Sequence, residues 1–161
     1  RMIEILASLR DREENVVLCL VGPKEGLYPS VREKAQKLGV EDKICFAGKQ
    51  ENIRRYLSAM DVFLFPSLFE GVPFALIEAQ TNGLACVMSD ASEEAVVFPE
   101  AVKRLPLQEE NRVWADTLLE MSRLRKTDAD STKQRLAEAH FDITTEAQRL
   151  KDLYLGIGAG G

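Results

Sequence analysis

The chain has 161 residues, which is enough for one domain with a hydrophobic core and too few for two full domains. Hydrophobic residues make up 45% of it and charged residues 29%, a composition that excludes disordered, collagen-like and coiled-coil proteins. The formal net charge of −5 comes without a basic patch for nucleic acid or a polybasic run for an anionic membrane, so we expect no nucleic-acid partner.

The first half of the chain alternates between helix and strand patterns. The spacing of Met2, Ile5, Leu6 and Leu9 predicts a helix over the first dozen residues. The run Val16–Val21, ended by a Gly-Pro pair, predicts a strand buried on both faces. Further along, the patterns predict a helix from Pro29 to Gly39, a strand at Lys43–Ala47, a helix with the stripe Ile53, Tyr56, Leu57 and Met60, a strand at Val62–Phe65, a helix at Pro73–Asn82 ended by Gly83, and a strand at Ala85–Met88.

The pattern weakens after residue 89. The remaining predicted elements are one or two short strands in Glu94–Leu105 and helices at Asn111–Arg125, Ala129–Ala139 and Asp142–Leu155. Strands that alternate with helices at this spacing predict an α/β fold: a Rossmann-like three-layer domain with a parallel sheet over residues 1–155. Residues 156–161 are expected to be a frayed tail or an addition to the native chain.

The three cysteines are Cys19, Cys45 and Cys86. Each lies in an apolar run, and their odd number and wide spacing favour small core residues in a reducing compartment over a disulfide framework or a zinc site. No apolar stretch approaches the length of a bilayer span, and the amphipathic first nine residues lack the apolar centre of a signal peptide. We therefore expect a cytoplasmic location.

The loop that follows the strand Val62–Phe65 carries the strongest functional pattern. In a parallel sheet, ligands bind at the carboxyl ends of the strands. This loop leads into a helix that is apolar on nearly every side, whose first free N–H groups lie around Phe74 and Ala75. Gly71 lets a ligand approach the backbone, so the helix start is predicted to bind an anion such as a diphosphate.

Two carboxylates flank this helix start. Glu78 lies among apolar neighbours, so we expect it to be buried and to need a partner. Glu70 precedes the helix, which places the two carboxylates roughly 8 to 10 Å apart along the axis, enough for a diphosphate with a sugar hydroxyl at one end and a ribose at the other. The alternative is that Glu70 caps the helix and Glu78 forms an ion pair with a lysine or arginine.

These residues resemble the signature of a known family. Glu70 and Glu78, with seven residues between them inside the pattern P-S-x-x-E-G-x-P-x-x-x-x-E-A, are similar to the retaining, nucleotide-sugar-dependent glycosyltransferases of family four, which have the GT-B fold. The resemblance covers about Ile5 to Leu153 and is strongest to bacterial capsule and exopolysaccharide transferases. It includes the softer features Gly22-Pro23, Phe46-Ala47-Gly48, Ala59-Met60-Asp61-Val62 and Phe141-Asp142-Ile143.

The resemblance implies a role for each site residue. Glu70 would contact the donor sugar near the reacting centre, as the catalytic residue, and Glu78 would accept hydrogen bonds from the ribose. The remaining donor-binding residues would be the backbone amides of Gly71, Val72, Phe74 and Ala75 around the diphosphate and the loop Gly48, Lys49 and Gln50 along the base. UDP is the expected nucleotide, and neither a metal nor another cofactor is expected.

Some features of the family are missing from this chain. The resemblance implies a basic pair upstream of the first helix and an acceptor-binding domain, and a Gly-Gly pair of many relatives reads Ser92-Glu93 here. The chain is thus expected to be the C-terminal, donor-side half of an enzyme that extends a polysaccharide or a lipid-linked glycan. Peripheral association with the inner face of the membrane is an option for the full-length enzyme. The alternative is a non-catalytic α/β binding or interaction module, which would have no reason to keep the Gly71-x-Pro73 helix start.

Overall fold

The computed structural model of the chain describes residues 1–23, 28–69, 71–90, 97–124 and 129–156, of which residues 129–131 are described by their backbone only. Its elements alternate between helix and strand over the first half, as the sequence predicts. They are α1 (Met2–Arg10), β1 (Leu18–Val21), α2 (Tyr28–Lys37), β2 (Ile44–Gly48), α3 (Ile53–Ala59), β3 (Val62–Phe65), α4 (Phe74–Thr81), β4 (Ala85–Ser89), β5 (Val102–Leu105), α5 (Asn111–Met121), α6 (Ala129–Glu138) and α7 (Ile143–Tyr154).

All strand pairs are parallel, as predicted, but within the described ranges the strands form two sheets. β1 pairs with β2, and β3, β4 and β5 form a second sheet in that order. Of the region Glu94–Leu105, the described part contains the single strand β5. The α/β class and the parallel sheet are therefore confirmed, whereas the sheet is interrupted between β1 and β3.

β4 is the centre of the larger sheet, and every one of its residues is buried. On one face, Ala85 and Val87 pack against α1 and α5 in a cluster that includes the fully buried Trp114. On the other face, Cys86 and Met88 pack against α3 and α4. This arrangement is the three-layer structure that the alternating pattern predicts.

The smaller sheet is covered on one face. Leu18 and Ile44 pack under α1 and α2, around Ala35. The residues on the opposite face are open, since Val17 is 64% exposed and Cys45 is exposed. The strand predicted at Val16–Val21 is present and ends at Val21 but begins at Leu18, and the prediction that it is buried on both faces is wrong, since its residues are half-buried.

A cavity of about 720 Å³ separates β1 from β3. Its walls include every residue from 15 to 20 on one side and from 61 to 64 on the other. Successive side chains of a strand point to opposite faces, so a cavity that touches all of them lies against the strand edges. Residues of α1 and α5 close it on one side and residues of α3 on the other, which makes it a slot within the plane of the sheet.

Glycines follow the C-terminal ends of two helices, as the sequence predicts. Gly39 and Gly83 have φ angles of +64° and +78°, the left-handed conformation that suits glycine after the last turn of a helix. The helix predicted to reach Arg125 ends at Met121. None of the helices in the described part of the chain has the length and apolar composition to cross a membrane.

Candidate functional site

The ends of β3 and β4 meet beside the start of α4. The Ser89 hydroxyl, at the end of β4, donates a hydrogen bond to the carbonyl of Ser67, just beyond β3. The Asp90 amide donates to the Leu105 carbonyl of β5 at 3.1 Å. These bonds hold the carboxyl ends of the three strands together and fix where the loop to α4 begins.

No side chain among the described residues caps the start of α4; whether Glu70 caps it lies outside the described residues. Its N-cap position is Pro73, which has neither a capping side chain nor an N–H group. The Phe74 amide donates to the Val72 carbonyl at 2.9 Å, so the expectation that this N–H is free for a ligand is wrong. The Ala75 amide has no acceptor among the described residues, and it remains the available donor at the positive end of the helix dipole.

Helix α4 has one buried and one exposed face. Leu76, Ile77, Ala79 and Gln80 are buried, whereas Gly71, Val72, Phe74, Ala75 and Glu78 are all exposed. The prediction that this helix lies in the interior on nearly every side is therefore wrong. Hydrophobicity alone suggested burial, but the apolar residues at the helix start face solvent in this chain.

Glu78 is exposed, which contradicts the expected burial. Solvation of the carboxylate is retained, so burial does not force it to have a partner. Glu78 forms no ion pair with any of the described residues. The alternative, a structural ion pair with lysine or arginine, therefore has no support among them. One turn into α4, Glu78 presents a hydrogen-bond acceptor on the same side as Ala75.

Gly71 lies in open space. A Cβ atom built at this position meets nothing within 4 Å, so packing within the described chain does not require glycine there. A close approach by a ligand would require it. Glu70, the predicted catalytic residue, lies outside the described residues, as does the Ser92-Glu93 pair.

Four apolar side chains surround the start of α4 and face solvent: Leu68, Phe69, Val72 and Phe74 are 80%, 84%, 56% and 70% exposed. Together they form an apolar rim, a name we use for these four residues below. Several exposed apolar side chains within one short segment are typical of a surface that meets a ligand or another domain.

The second predicted part of the site, Gly48-Lys49-Gln50, lies at the ends of the smaller sheet. Gly48 is buried with a φ angle of +71°, and its carbonyl accepts a hydrogen bond from the Gly22 amide at 3.0 Å. The Gln50 side chain folds back to donate to the Ala47 carbonyl at 2.6 Å, while Lys49 is exposed. No hydrogen bond within the described ranges joins residues 48–50 to residues 71–78, and the slot lies between the two sheets that carry them.

The pattern analysis missed Gln80, which positions the site from below. It is 1% exposed, and its side-chain oxygen accepts from the amides of Val97 and Phe98 at 2.8 and 3.1 Å. Its amide nitrogen donates to the Leu76 carbonyl at 3.2 Å. The signal was present in the sequence as a polar residue four positions after Leu76 on the buried stripe, where only a satisfied side chain is tolerated.

The described residues contain no group of three or more histidine, cysteine, aspartate or glutamate side chains placed to hold a metal ion. What the α4 region offers instead is a backbone amide for an anion and, one turn further on, a carboxylate for hydroxyl groups.

Residues 1–135 match the family described as Glycosyl transferases group 1. The chain is 31% identical over 154 residues to EpsF of Bacillus subtilis, which is named as a glycosyltransferase, and this match covers 95% of the chain and 40% of EpsF. It is 27% identical to the capsular polysaccharide biosynthesis glycosyltransferase CapH of Staphylococcus aureus, over 96% of the chain and 42% of CapH. The chain thus spans about two fifths of the length of these curated relatives.

Solved structures share the fold. The structure of Anabaena Alr3699/HepE in complex with UDP matches with a TM-score of 0.75 at 20% identity, over 97% of the chain and 45% of that protein. WaaG, a glycosyltransferase involved in lipopolysaccharide biosynthesis, matches with a TM-score of 0.69 over 99% of the chain and 43% of WaaG. These likenesses confirm the Rossmann-like arrangement of helices and strands.

Replacement of Gln80 by Leu should destabilise the chain by about 2 to 4 kcal/mol, because the buried amides of Val97 and Phe98 lose their acceptor. Urea denaturation measures the loss. Gln148→Leu, on the exposed side of α7, is the matched control and should change the free energy of unfolding by less than about 0.5 kcal/mol. Equal stability of the two variants would contradict the anchoring role of Gln80.

Proposed function

Because the chain belongs to the Glycosyl transferases group 1 family, we propose that it is the donor-binding part of a retaining glycosyltransferase. The donor is a nucleoside diphosphate sugar with UDP as its nucleotide, and the acceptor is a growing polysaccharide or a lipid-linked glycan. UDP in the Anabaena structure of the same fold supports the nucleotide, and the capsule-synthesis name of the Staphylococcus relative supports the acceptor class.

The observation that carries this proposal is the exposed start of α4, which no side chain of the described residues caps. A helix of eight residues begins here after a proline, and the Ala75 amide lacks an acceptor within the described chain. Such a helix start attracts an anion through its N–H groups and its dipole. The open space at Gly71 gives a diphosphate room to reach the Ala75 amide.

Glu78 fits the nucleotide ribose. It lies three positions after Ala75, a rise of about 4.5 Å along the helix, so a diphosphate on the amide and a ribose on the carboxylate are neighbours on one helix face. The exposed carboxylate has no ion-pair partner in the described part of the chain and can accept two hydroxyl hydrogen bonds.

Glu70 is assigned to the donor sugar by the family signature, and the retaining outcome rests on the same signature. The loop Gly48-Lys49-Gln50 is assigned to the base. Its buried Gly48 and its folded Gln50 side chain support a loop of defined shape, in which the exposed Lys49 and the backbone face the ligand. The helix start contributes a partial positive charge toward the diphosphate. The family resemblance implies that neither a metal ion nor another cofactor takes part in this site.

A longer protein would complete the site. The apolar rim would be covered by an acceptor-binding domain, which excludes water and holds the acceptor against the donor. The slot between β1 and β3 would accept one more strand. A four-residue strand has a rise of about 3.3 Å per residue, a width of about 4.8 Å and a depth of about 10 Å with its side chains, so it occupies roughly 630 Å³. The cavity of about 720 Å³ is of this size.

A non-catalytic α/β interaction module is the second candidate. The apolar rim would be its docking surface. This candidate gives no reason for the open space at Gly71 or for a Glu78 that has no ion-pair partner among the described residues, so the sugar-transfer function is the better explanation of the two.

Glu78→Gln should weaken UDP binding by about 1 to 3 kcal/mol, because charge-assisted hydrogen bonds to the ribose are lost. Calorimetric titration with UDP, GDP and ADP measures the affinity and ranks the bases. Glu120→Gln, an exposed glutamate on α5, is the control and should bind UDP like the parent chain. Unchanged affinity of Glu78→Gln would overturn the ribose assignment.

Glu70→Ala should leave the UDP affinity nearly unchanged while lowering turnover of the full-length enzyme by orders of magnitude, since Glu70 is assigned to the sugar and not to the nucleotide. The two readouts are the UDP titration and a transfer assay with a labelled donor sugar. A parallel loss of UDP affinity would place Glu70 in the nucleotide pocket instead.

The 161-residue chain should fold and should fail to transfer sugar, because the acceptor must be held and water excluded by a second domain. The test compares the chain with the full-length protein on a labelled donor and the cognate acceptor. Transfer by the chain within about tenfold of the full-length rate would show that it holds a complete active site.

A further inference from the structure

Two cysteines that lie 26 positions apart in the sequence are direct neighbours in the smaller sheet. Cys19 of β1 is the register partner of Cys45 of β2 in the parallel pairing. Directly opposed residues of neighbouring strands project to the same face of a sheet. The two thiols therefore face each other across one strand spacing.

This face of the sheet is open. The opposite face carries Leu18 and Ile44, which pack under α1 and α2. Cys45 is exposed, Cys19 is half-buried, and both are free thiols. Neighbouring strands are about 4.8 Å apart, which lies within the range of Cα separations, about 4.4 to 6.8 Å, that a disulfide bridges.

We propose that Cys19 and Cys45 form a peroxide-sensitive dithiol that hydrogen peroxide converts to an intramolecular disulfide. The exposed Cys45 thiolate attacks one peroxide oxygen and the O–O bond breaks. Hydroxide departs, and Cys45 becomes a sulfenic acid. The Cys19 thiolate then attacks that sulfur, the S–O bond breaks and a second hydroxide leaves. The two thiol protons turn both hydroxides into water, so two sulfurs are oxidised and one peroxide is reduced.

The surroundings of each thiol fit its role in these two reaction steps. Burial and the neighbouring Cys45 thiol raise the pKa of Cys19, so Cys19 is the poorer first nucleophile and suits the second, intramolecular step. A bridge to the exposed Cys45 is accessible to reducing thiols, and exposed disulfides are the ones that are readily reduced again. The modification is therefore expected to be reversible.

Cys86 is the internal control. It lies in β4 with no exposed surface, and burial raises the pKa of its thiol to about 12. A thiol in this environment is inert to peroxide. A reaction at the pair and not at Cys86 separates the proposed site from general oxidation of the chain.

The test treats the reduced chain with hydrogen peroxide and follows intact mass, alkylatable thiols and peptide maps. The expected result is a loss of about 2 Da, one remaining thiol at Cys86, a linked Cys19–Cys45 peptide, and full recovery with dithiothreitol. Cys19→Ser should stop at a Cys45 sulfenic acid that dimedone traps, and Cys45→Ser should oxidise about tenfold more slowly.

Three results would overturn the proposal: oxygen addition without a linked peptide, consumption of Cys86 at the rate of the pair, or disulfides only between chains. Circular dichroism of each serine variant confirms that it is folded, and the parent chain alone already decides whether the bridge forms. None of these readouts depends on nucleotide binding, so the outcome is separate from that of the proposed function.

Discussion

The burial of β4 between two helical layers is the constraint on which the rest of the structure depends. All five residues of the strand are buried, with α1 and α5 on one face and α3 and α4 on the other. Each face contributes its own hydrophobic cluster, so the strand cannot shift by one residue without exchanging the two sets of side chains. The position of α4, and with it the candidate site, follows from this packing.

The site itself combines a rigid support with an exposed surface. Gln80 attaches the buried side of α4 to the backbone of residues 97 and 98, and the Ser67–Ser89 contact attaches the preceding loop to the end of β4. The free face of the same helix presents the Ala75 amide, the Glu78 carboxylate and the apolar rim. A helix held firmly on one side positions its other side without covering it, which is what recognition of a ligand by backbone amides requires.

The sequence patterns predicted the fold well where the residues of a single helix or strand are enough to define it. The boundaries of β3 follow from a local apolar run and are as predicted. The left-handed Gly39 and Gly83 follow α2 and α4 as predicted, although these helices end at Lys37 and Thr81. Ala75 and Glu78 lie within the first five residues of α4, and Gly71 lies just before the helix; their role as a binding site stays a prediction. The prediction failed for the burial of Glu78 and for the exposed face of α4. An apolar helix has the same sequence pattern whether the fold covers one side of it or all sides.

Local sequence therefore determined the α/β class, the order of most elements and the helix start that carries the site, since periodicity and turn residues act over a few positions. Tertiary structure alone decided which surfaces are covered. It split the strands into two sheets and left Cys45 exposed beside Cys19 where core positions were expected. Each of these outcomes depends on contacts between residues far apart in the chain, and a local pattern contains no record of them.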